Sequence, residues 1–163
     1  MDKITVAVPC YNEEPVLDLF YSAITAVAKE FPDTEFEFLF IDDGSRDNTL
    51  GKVQAFAQRD SRVKYISFSR NFGKEAGIYA GLENATGDYV VIMDADLQDP
   101  PSLLPEMYRA ITEEGYDSVG SRRVTRKGEP PLRSFFARLF YKIINKISDA
   151  DIVDGARDYQ MMN

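Results

Sequence analysis

The chain has no histidine, and Cys10 is the single cysteine among its 163 residues. Zinc sites in proteins are built mainly from His and Cys ligands, so a zinc site is not expected. One cysteine cannot form an internal disulfide framework, which is compatible with a reducing compartment. The signature G-x-x-x-x-G-K-[ST] is also missing, which argues against a phosphate-loop NTPase.

Long apolar runs are missing as well. No run approaches the roughly 18 residues typical of a membrane span, and the N-terminus leads directly into an apolar strand instead of a signal peptide. The composition, 44% hydrophobic over 163 residues, suits one globular domain with a core of ordinary size. We therefore expect residues 1–163 to form a soluble, single-domain chain.

The net charge of −8 is distributed unevenly along the chain. Residues 120–147 contain eight Lys or Arg against one acid, Glu129, and carry +7, which leaves −15 on the rest. A basic segment in an acidic chain indicates a local anionic partner, either phosphate groups or a membrane surface. Nucleic-acid binding is not expected, because it usually requires a domain that is basic as a whole.

Strand-like apolar runs alternate with helical patterns along most of the chain. The predicted strands are Ile4–Val8, Phe36–Ile41, Val63–Phe68, Tyr89–Met93 and Asp117–Gly120. Apolar residues at helical spacing begin near Val16, Leu50, Ile78 and Leu103. This alternation predicts an α/β fold with a mostly parallel sheet and helices on both faces.

The most informative motif is Asp94-Ala95-Asp96, which directly follows a predicted strand. Two carboxylates at i and i+2 can be aimed at one hard cation, which can neutralise the diphosphate of a departing nucleotide. The alternative is a solvated turn before the chain break at Pro100-Pro101. Ligands of such folds bind outside the carboxyl ends of the strands, which favours the first interpretation.

A basic and aromatic segment follows the last predicted strand. Residues 122–131 interrupt any regular pattern, and Leu132–Ile147 has apolar residues at helical spacing with Arg and Lys among them. This helix is either a core element with a solvated basic face or a helix that lies at a membrane interface. Both interpretations stay open, as does a homo-oligomer formed through it.

Six polar motifs together resemble the family 2 glycosyltransferases with the GT-A fold, a Rossmann-like architecture. The resemblance is narrower to the polyprenol-phosphate glycosyltransferases, which include dolichol-phosphate mannose synthases and bactoprenol-phosphate glucosyltransferases. The motifs are Val8–Glu14, Ile41–Ser45, Ser69–Glu75, Ala85–Asp88, Asp94–Pro100 and Gly120–Arg123. Each motif alone is weak, but their order and spacing cover nearly the whole chain.

The resemblance implies a donor site for a nucleotide sugar. The residues that it assigns to the nucleotide pocket are Pro9, Tyr11, Asn12, Glu13, Asp42, Asp43, Lys74 and Asp94. Carboxylates suit this pocket because they accept hydrogen bonds from ring N–H and ribose hydroxyl groups. Asn12 is alternatively the N-cap of the first helix, and Lys74 lies at a helix start whose free N–H groups could meet a phosphate.

The resemblance also implies a divalent cation and an acceptor site. It places Mg²⁺ or Mn²⁺ at Asp94, Asp96 and Gln98, with oxygens of the diphosphate as further ligands, and makes Asp96 catalytic. It assigns the lipid phosphate to Arg122 and Arg133, whose rigid guanidinium forks suit phosphate oxygens. Residues 154–160 resemble an acidic-aromatic segment near the acceptor, but Tyr159-Gln160 replaces the frequent Phe-Arg.

The implied reaction moves a hexose, with inversion, from a nucleotide sugar such as UDP-glucose to a polyprenyl phosphate. An acceptor phosphate is already anionic, so orientation and electrostatics can supply the catalysis. Members of the family work at the cytoplasmic face of the membrane and continue beyond this length, the bactoprenol type with two membrane helices. We therefore expect an N-terminal fragment.

Two alternatives remain. The first is a family 2 transferase that glycosylates a sugar hydroxyl, for which Asp99 or Asp158 would be the carboxylate base. The second is a nucleotide-sugar-binding module without turnover.

Overall fold

The computed structural model describes residues 1–122 and 156–163 as one six-stranded sheet with helices packed on it. The strands are β1 (Asp2–Cys10), β2 (Thr34–Asp42), β3 (Val63–Ser67), β4 (Tyr89–Ile92), β5 (Ser118–Arg122) and β6 (Ala156–Met162). The helices are α1 (Leu17–Ala28), α2 (Thr49–Arg59), α3 (Lys74–Asn84) and α4 (Leu104–Glu114), and a 3₁₀ turn at Pro101–Leu103 precedes α4.

The strands lie in the order β3-β2-β1-β4-β6-β5. β1 to β4 are parallel, whereas β6 runs antiparallel between β4 and β5. The α/β class and the mostly parallel sheet are therefore confirmed. All five predicted strands are present, but β6 was not predicted.

Helices cover both faces of the sheet, as the sequence predicts. Successive side chains of β1 and β2 point to opposite faces, so each strand contributes apolar residues to both layers. Phe38 and Phe40 belong to the larger core, together with buried residues of α1, α2 and α4. Leu39 and Ile41 form a smaller core on the opposite face, below α3. Burial of a large apolar side chain contributes about 1.5–3 kcal/mol, so the sheet is held mainly by these two layers.

α3 lies unusually close to the sheet because two glycines face it. A Cβ added at Gly81 would be 3.0 Å from the Cβ of Ala7, and one added at Gly77 would be 3.3 Å from the Cβ of Pro9. This close contact holds the N-terminus of α3, where Lys74 lies, beside the carboxyl ends of the strands.

The Ala85–Asp88 motif has a structural role at the start of β4. The buried carboxylate of Glu37 accepts hydrogen bonds from the Thr5 hydroxyl and from both the N–H and the hydroxyl of Thr86. A Cβ at Gly87 would lie 2.7 Å from backbone atoms of Lys3 and Thr5. The motif therefore fixes the loop between α3 and β4 against β1.

Within residues 1–122 and 156–163, no helix combines the length and the apolar character needed to cross a membrane. The predicted loop beyond residue 122, the helix Leu132–Ile147 and Arg133 lie outside the described residues.

Candidate functional site

A cleft of about 360 Å³ opens at the carboxyl ends of β1, β2 and β4. It is lined by Pro9, Cys10, Tyr11, Glu13, Asp43, Asn71, Gly73, Lys74, Asp94, Ala95 and Asp96. Seven of the predicted donor-site residues therefore meet in one cavity, as expected for loops that follow parallel strands. The predicted residues Asn12, Asp42 and Gln98 are not part of this lining, whereas four residues are additions: Cys10, Asn71, Gly73 and Ala95.

The side chains that line the cleft are predominantly acidic. Four carboxylates (Glu13, Asp43, Asp94 and Asp96) face the cavity with one ammonium, that of Lys74. Burial raises the pKa of Glu13, and the negative charges of Asp96 and Asp94 raise it further. A nucleoside diphosphate would be repelled by this lining unless a cation accompanied it.

Asp43 connects two of the loops around the cleft. Its Oδ1 accepts the N–H of Phe72 at 2.7 Å and its Oδ2 accepts the N–H of Gly73 at 2.9 Å. These two donors, which immediately precede α3, are therefore not free for a phosphate. Asp43 is 3% exposed and positions the loop that carries Asn71 and Lys74.

Gly44 allows the same two loops to touch. Its φ is +67°, and a Cβ there would lie 2.4 Å from the carbonyl carbon of Arg70. Asp42 stabilises this turn, because its carboxylate accepts hydrogen bonds from the N–H of Ser45 and from the hydroxyl of Ser67, both at 3.2 Å. The Asp-Asp-Gly-Ser sequence is thus a turn that supports the cleft.

Asn12 joins the loop after β1 to the loop after β2. Its φ is +55°, its N–H donates to Ser45 Oγ at 3.0 Å, and its Oδ1 accepts the N–H of Arg46 at 2.8 Å. The alternative in which Asn12 caps the first helix is wrong, because α1 begins at Leu17 after Val16. Asn12 therefore joins two loops that border the cleft, although it is not itself part of the lining.

The two aspartates of the D-x-D motif have different surroundings. Asp94 Oδ2 accepts a hydrogen bond from Lys74 Nζ at 2.7 Å, and the same ammonium reaches Asp158 Oδ2 at 2.6 Å. Asp96 Oδ1 accepts the N–H of Gln98 at 3.0 Å, and Leu97 between them has a φ of +58°. Asp96 is therefore part of a turn and at the same time lines the cleft.

The donor atoms around the cleft fit a hard divalent cation only in part. Among residues 1–122 and 156–163, no group of three or more His, Cys, Asp or Glu side chains is gathered closely enough to hold a metal ion. Asp94 and Asp96 nevertheless supply two carboxylates to one cavity, and Mg²⁺ and Mn²⁺ prefer oxygen ligands. A cation here would complete its coordination with water or with oxygens from the diphosphate of a donor.

The predicted acceptor residues are only partly described. Arg122 ends β5, but its side chain lies outside the described part of the chain, as does all of Arg133. Asp158 is half-exposed and contacts Lys74, whereas Tyr159 is 1% exposed in the core. The position occupied by Tyr159 therefore serves packing, and the alternation of Tyr159 and Met161 was the available signal for β6.

The six-stranded, mostly parallel sheet, with an acidic cleft at its strand ends, matches the GT-A fold. Residues 5–163 match the sequence profile of Glycosyl transferase family 2. The chain belongs to this family.

Individual relatives give a consistent result. The Bacillus subtilis (strain 168) protein CsbB is 44% identical over 162 residues, which cover 98% of this chain and 48% of CsbB. The prophage bactoprenol glucosyl transferase homolog of Escherichia coli (strain K12) is 38% identical over 161 residues, 99% of this chain and 52% of the relative. The chain thus spans about half the length of these curated relatives.

A solved structure supports the fold. The mannosyltransferase PcManGT of Pyrobaculum calidifontis, in complex with GDP-Man and Mn²⁺, superposes with a TM-score of 0.66 at 22% identity. The match covers 99% of this chain and 44% of that protein.

Proposed function

We propose that this chain is the donor-binding part of an inverting glycosyltransferase that transfers a hexose, with glucose as our choice, from a nucleoside diphosphate sugar to a polyprenyl phosphate. The observation that carries the proposal is the cleft at the ends of β1, β2 and β4, where four carboxylates and Lys74 meet. Membership of family 2 supports the reaction type. The name of the Escherichia coli relative supports glucose and a polyprenyl acceptor.

In this proposal the donor lies along the cleft. Tyr11 and Asp43 border the end that takes the base and ribose, and Asp94 and Asp96 border the end that takes the diphosphate. Mg²⁺ or Mn²⁺ held by Asp94 and Asp96 would supply positive charge for the departing diphosphate. Lys74 adds a positive charge at the same end, where its ammonium contacts Asp94.

The acceptor phosphate attacks the anomeric carbon of the hexose while the bond from that carbon to the diphosphate breaks. Attack from the side opposite the leaving group inverts the configuration, and the acceptor oxygen is already anionic, so no proton has to be removed. The chain then contributes orientation and electrostatic stabilisation. Arg122, Arg133 and the basic segment 120–147 are the proposed partners of the lipid phosphate and of the cytoplasmic membrane surface.

Calorimetric titration tests the donor site. We expect the chain to bind UDP-glucose in the presence of Mn²⁺, more tightly than GDP-mannose, and to lose this binding with a chelator. Asp96→Asn should weaken binding at least ~10-fold, equivalent to ~1.4 kcal/mol. Asp33→Asn is the matched control, because Asp33 is an exposed acid outside the cleft lining. If neither UDP-glucose nor GDP-mannose binds, the proposal is contradicted.

A second candidate is a family 2 transferase that acts on a glycan hydroxyl. It is favoured by the position of Asp158, whose carboxylate reaches the cleft through Lys74 and could serve as a base. The two candidates separate when radiolabelled UDP-glucose is offered with polyprenyl phosphate or with an oligosaccharide. Label in the lipid fraction supports the first, label in the glycan supports the second, and donor binding without transfer supports a binding module.

A further inference from the structure

Asp94 and Asp158 are brought face to face by the pairing of β4 with β6. The antiparallel register places Val90 opposite Met162 and Ile92 opposite Gln160. Asp94 follows the last paired residue of β4 by two positions and Asp158 precedes Gln160 by two, and both carboxylates contact the ammonium of Lys74. Two carboxylates that reach the same ammonium lie close enough to repel each other, so a cation between them stabilises the arrangement.

Lys74 is that cation. Its Nζ lies 2.7 Å from Asp94 Oδ2 and 2.6 Å from Asp158 Oδ2, so one ammonium bridges both carboxylates. Among the described residues that line the cleft, no other side chain carries a positive charge.

The same carboxylate of Asp94 is proposed above as a ligand of the divalent cation. An ammonium and a divalent cation cannot both hold Asp94 Oδ2 at full strength, because each repels the other. The ammonium also contacts Asp158, whose side chain is 56% exposed. This second partner remains available when the metal binds Asp94. The flexible stem of a lysine can make this small displacement while α3 stays in place.

We propose that Lys74 is a resident counter-cation that the divalent metal displaces from Asp94 and that Asp158 then retains at the cleft. Lys74 is thus a positioning residue: it holds the two opposed carboxylates in the metal-free protein and stays beside the diphosphate end once the metal arrives. The inference rests on the proposed function, because it takes Asp94 as a metal ligand.

The test is a titration of Mn²⁺ into the protein without nucleotide, with free Mn²⁺ followed by electron paramagnetic resonance. Half-exposed ion pairs are worth ~0.2–1 kcal/mol, so Lys74→Met should tighten Mn²⁺ binding by a factor of about 1.4 to 5. Lys52→Met is the matched control: Lys52 also pairs with an aspartate, Asp18, but lies outside the cleft lining. It should leave the Mn²⁺ affinity unchanged.

Removing a positive charge near the cleft would by itself tighten Mn²⁺ binding, whether or not the metal displaces Lys74. The substitution Asp158→Asn is therefore measured both in the protein with Lys74 and in the Lys74→Met variant. When the metal displaces the Lys74 ammonium from Asp94, which we call the exchange, Asp158 must receive that ammonium. Asp158→Asn should therefore weaken Mn²⁺ binding more in the protein that has Lys74 than in the Lys74→Met variant. Equal effects in the two backgrounds overturn the proposal. Unchanged, weaker or undetectable Mn²⁺ binding by Lys74→Met also overturns it.

Failure of the proposed function has a different signature. If the two substitutions couple in the Mn²⁺ titration but no sugar nucleotide binds in calorimetry, the exchange stands and the donor assignment fails. If a sugar nucleotide binds with Mn²⁺ but the substitutions act independently, the donor site stands and the exchange fails.

Discussion

The carboxylate of Asp43 accepts the backbone N–H of Gly73 at 2.9 Å, so the turn after β2 fixes the residue that precedes α3. The second carboxylate oxygen holds Phe72 in the same way. A side chain predicted to contact the nucleotide therefore also determines where the neighbouring loop lies. Substitutions at this position are expected to affect stability and ligand affinity together.

Asp43→Ala should lower the free energy of unfolding by about 2 kcal/mol, because two partly buried N–H groups lose their acceptor. Binding of UDP-glucose should be lost in parallel, since the cleft residue Asn71 lies on the loosened loop. Urea unfolding and calorimetry measure the two effects. Asp33→Ala is the control, and an unchanged unfolding midpoint for Asp43→Ala would show that the loop does not depend on this carboxylate.

Gly44→Ala should be far more damaging than Gly115→Ala. Both glycines have positive φ, +67° and +78°, so both substitutions carry the left-handed cost of about 1–2 kcal/mol. Only at Gly44 would the new Cβ meet backbone atoms, those of Arg70 and Asn71, whereas nothing lies within 4 Å at Gly115. We expect an additional loss of about 1–3 kcal/mol at Gly44, measured by urea unfolding. Similar losses at both positions would contradict the contact between the loops.

Glu37→Gln should destabilise the protein at neutral pH and lose its effect in acid. Burial raises the pKa of Glu37, but hydrogen bonds from Thr5 and Thr86 outweigh this effect, so the folded-state pKa lies below the ordinary 4.5. The ionised carboxylate therefore stabilises the fold above pH 4.5, and this contribution disappears as the pH falls through the folded-state pKa. Unfolding free energies of the two proteins should differ by about 1 kcal/mol at pH 7 and converge as the pH falls below the folded-state pKa of Glu37. A difference that persists in acid would exclude this ionisation as the cause.

Glu13→Gln should raise the melting temperature while it weakens donor binding. The charge of Glu13 is opposed by burial and by Asp96 and Asp94, so its removal relieves repulsion of a few tenths of a kcal/mol to about 1 kcal/mol. Fewer negative charges at the cleft should also lower the affinity for UDP-glucose with Mn²⁺. Glu14→Gln is the control, because Glu14 accepts the N–H of Asn48 and lies outside the cleft lining. A lower melting temperature for Glu13→Gln would contradict the prediction.

The sequence predicts the parallel part of the sheet well because each of β1 to β4 contains a compact apolar run. The polar residues that follow these runs necessarily meet at one edge, so the cleft could be predicted without knowing any contact between them. The hydrogen bonds within the cleft could not be predicted from the sequence, because they depend on the geometry of the loops. Asn12 illustrates this limit: it has the chemistry of an N-cap but lies in a left-handed turn well before α1.

β6 was missed for a different reason. Its only apolar alternation is Tyr159 and Met161, and its pairing with β4 joins segments about 70 residues apart in sequence, so no local pattern indicates the partner. The opposition of Asp94 and Asp158 follows from that pairing alone. The position of Lys74 between them could therefore be found only from the structure.

The two glycines that bring α3 onto the sheet also limit how the cleft can respond to a ligand. At Gly77 and Gly81 the backbone of α3 rests directly on the side chains of Pro9, Ala7 and Ile41, so the helix has little room to slide along the sheet. The anchor point of the Lys74 side chain is consequently as rigid as β1 itself. Any adjustment at this edge must come from rotation about the bonds of one lysine stem, a motion on the picosecond-to-nanosecond scale that needs no movement of the backbone.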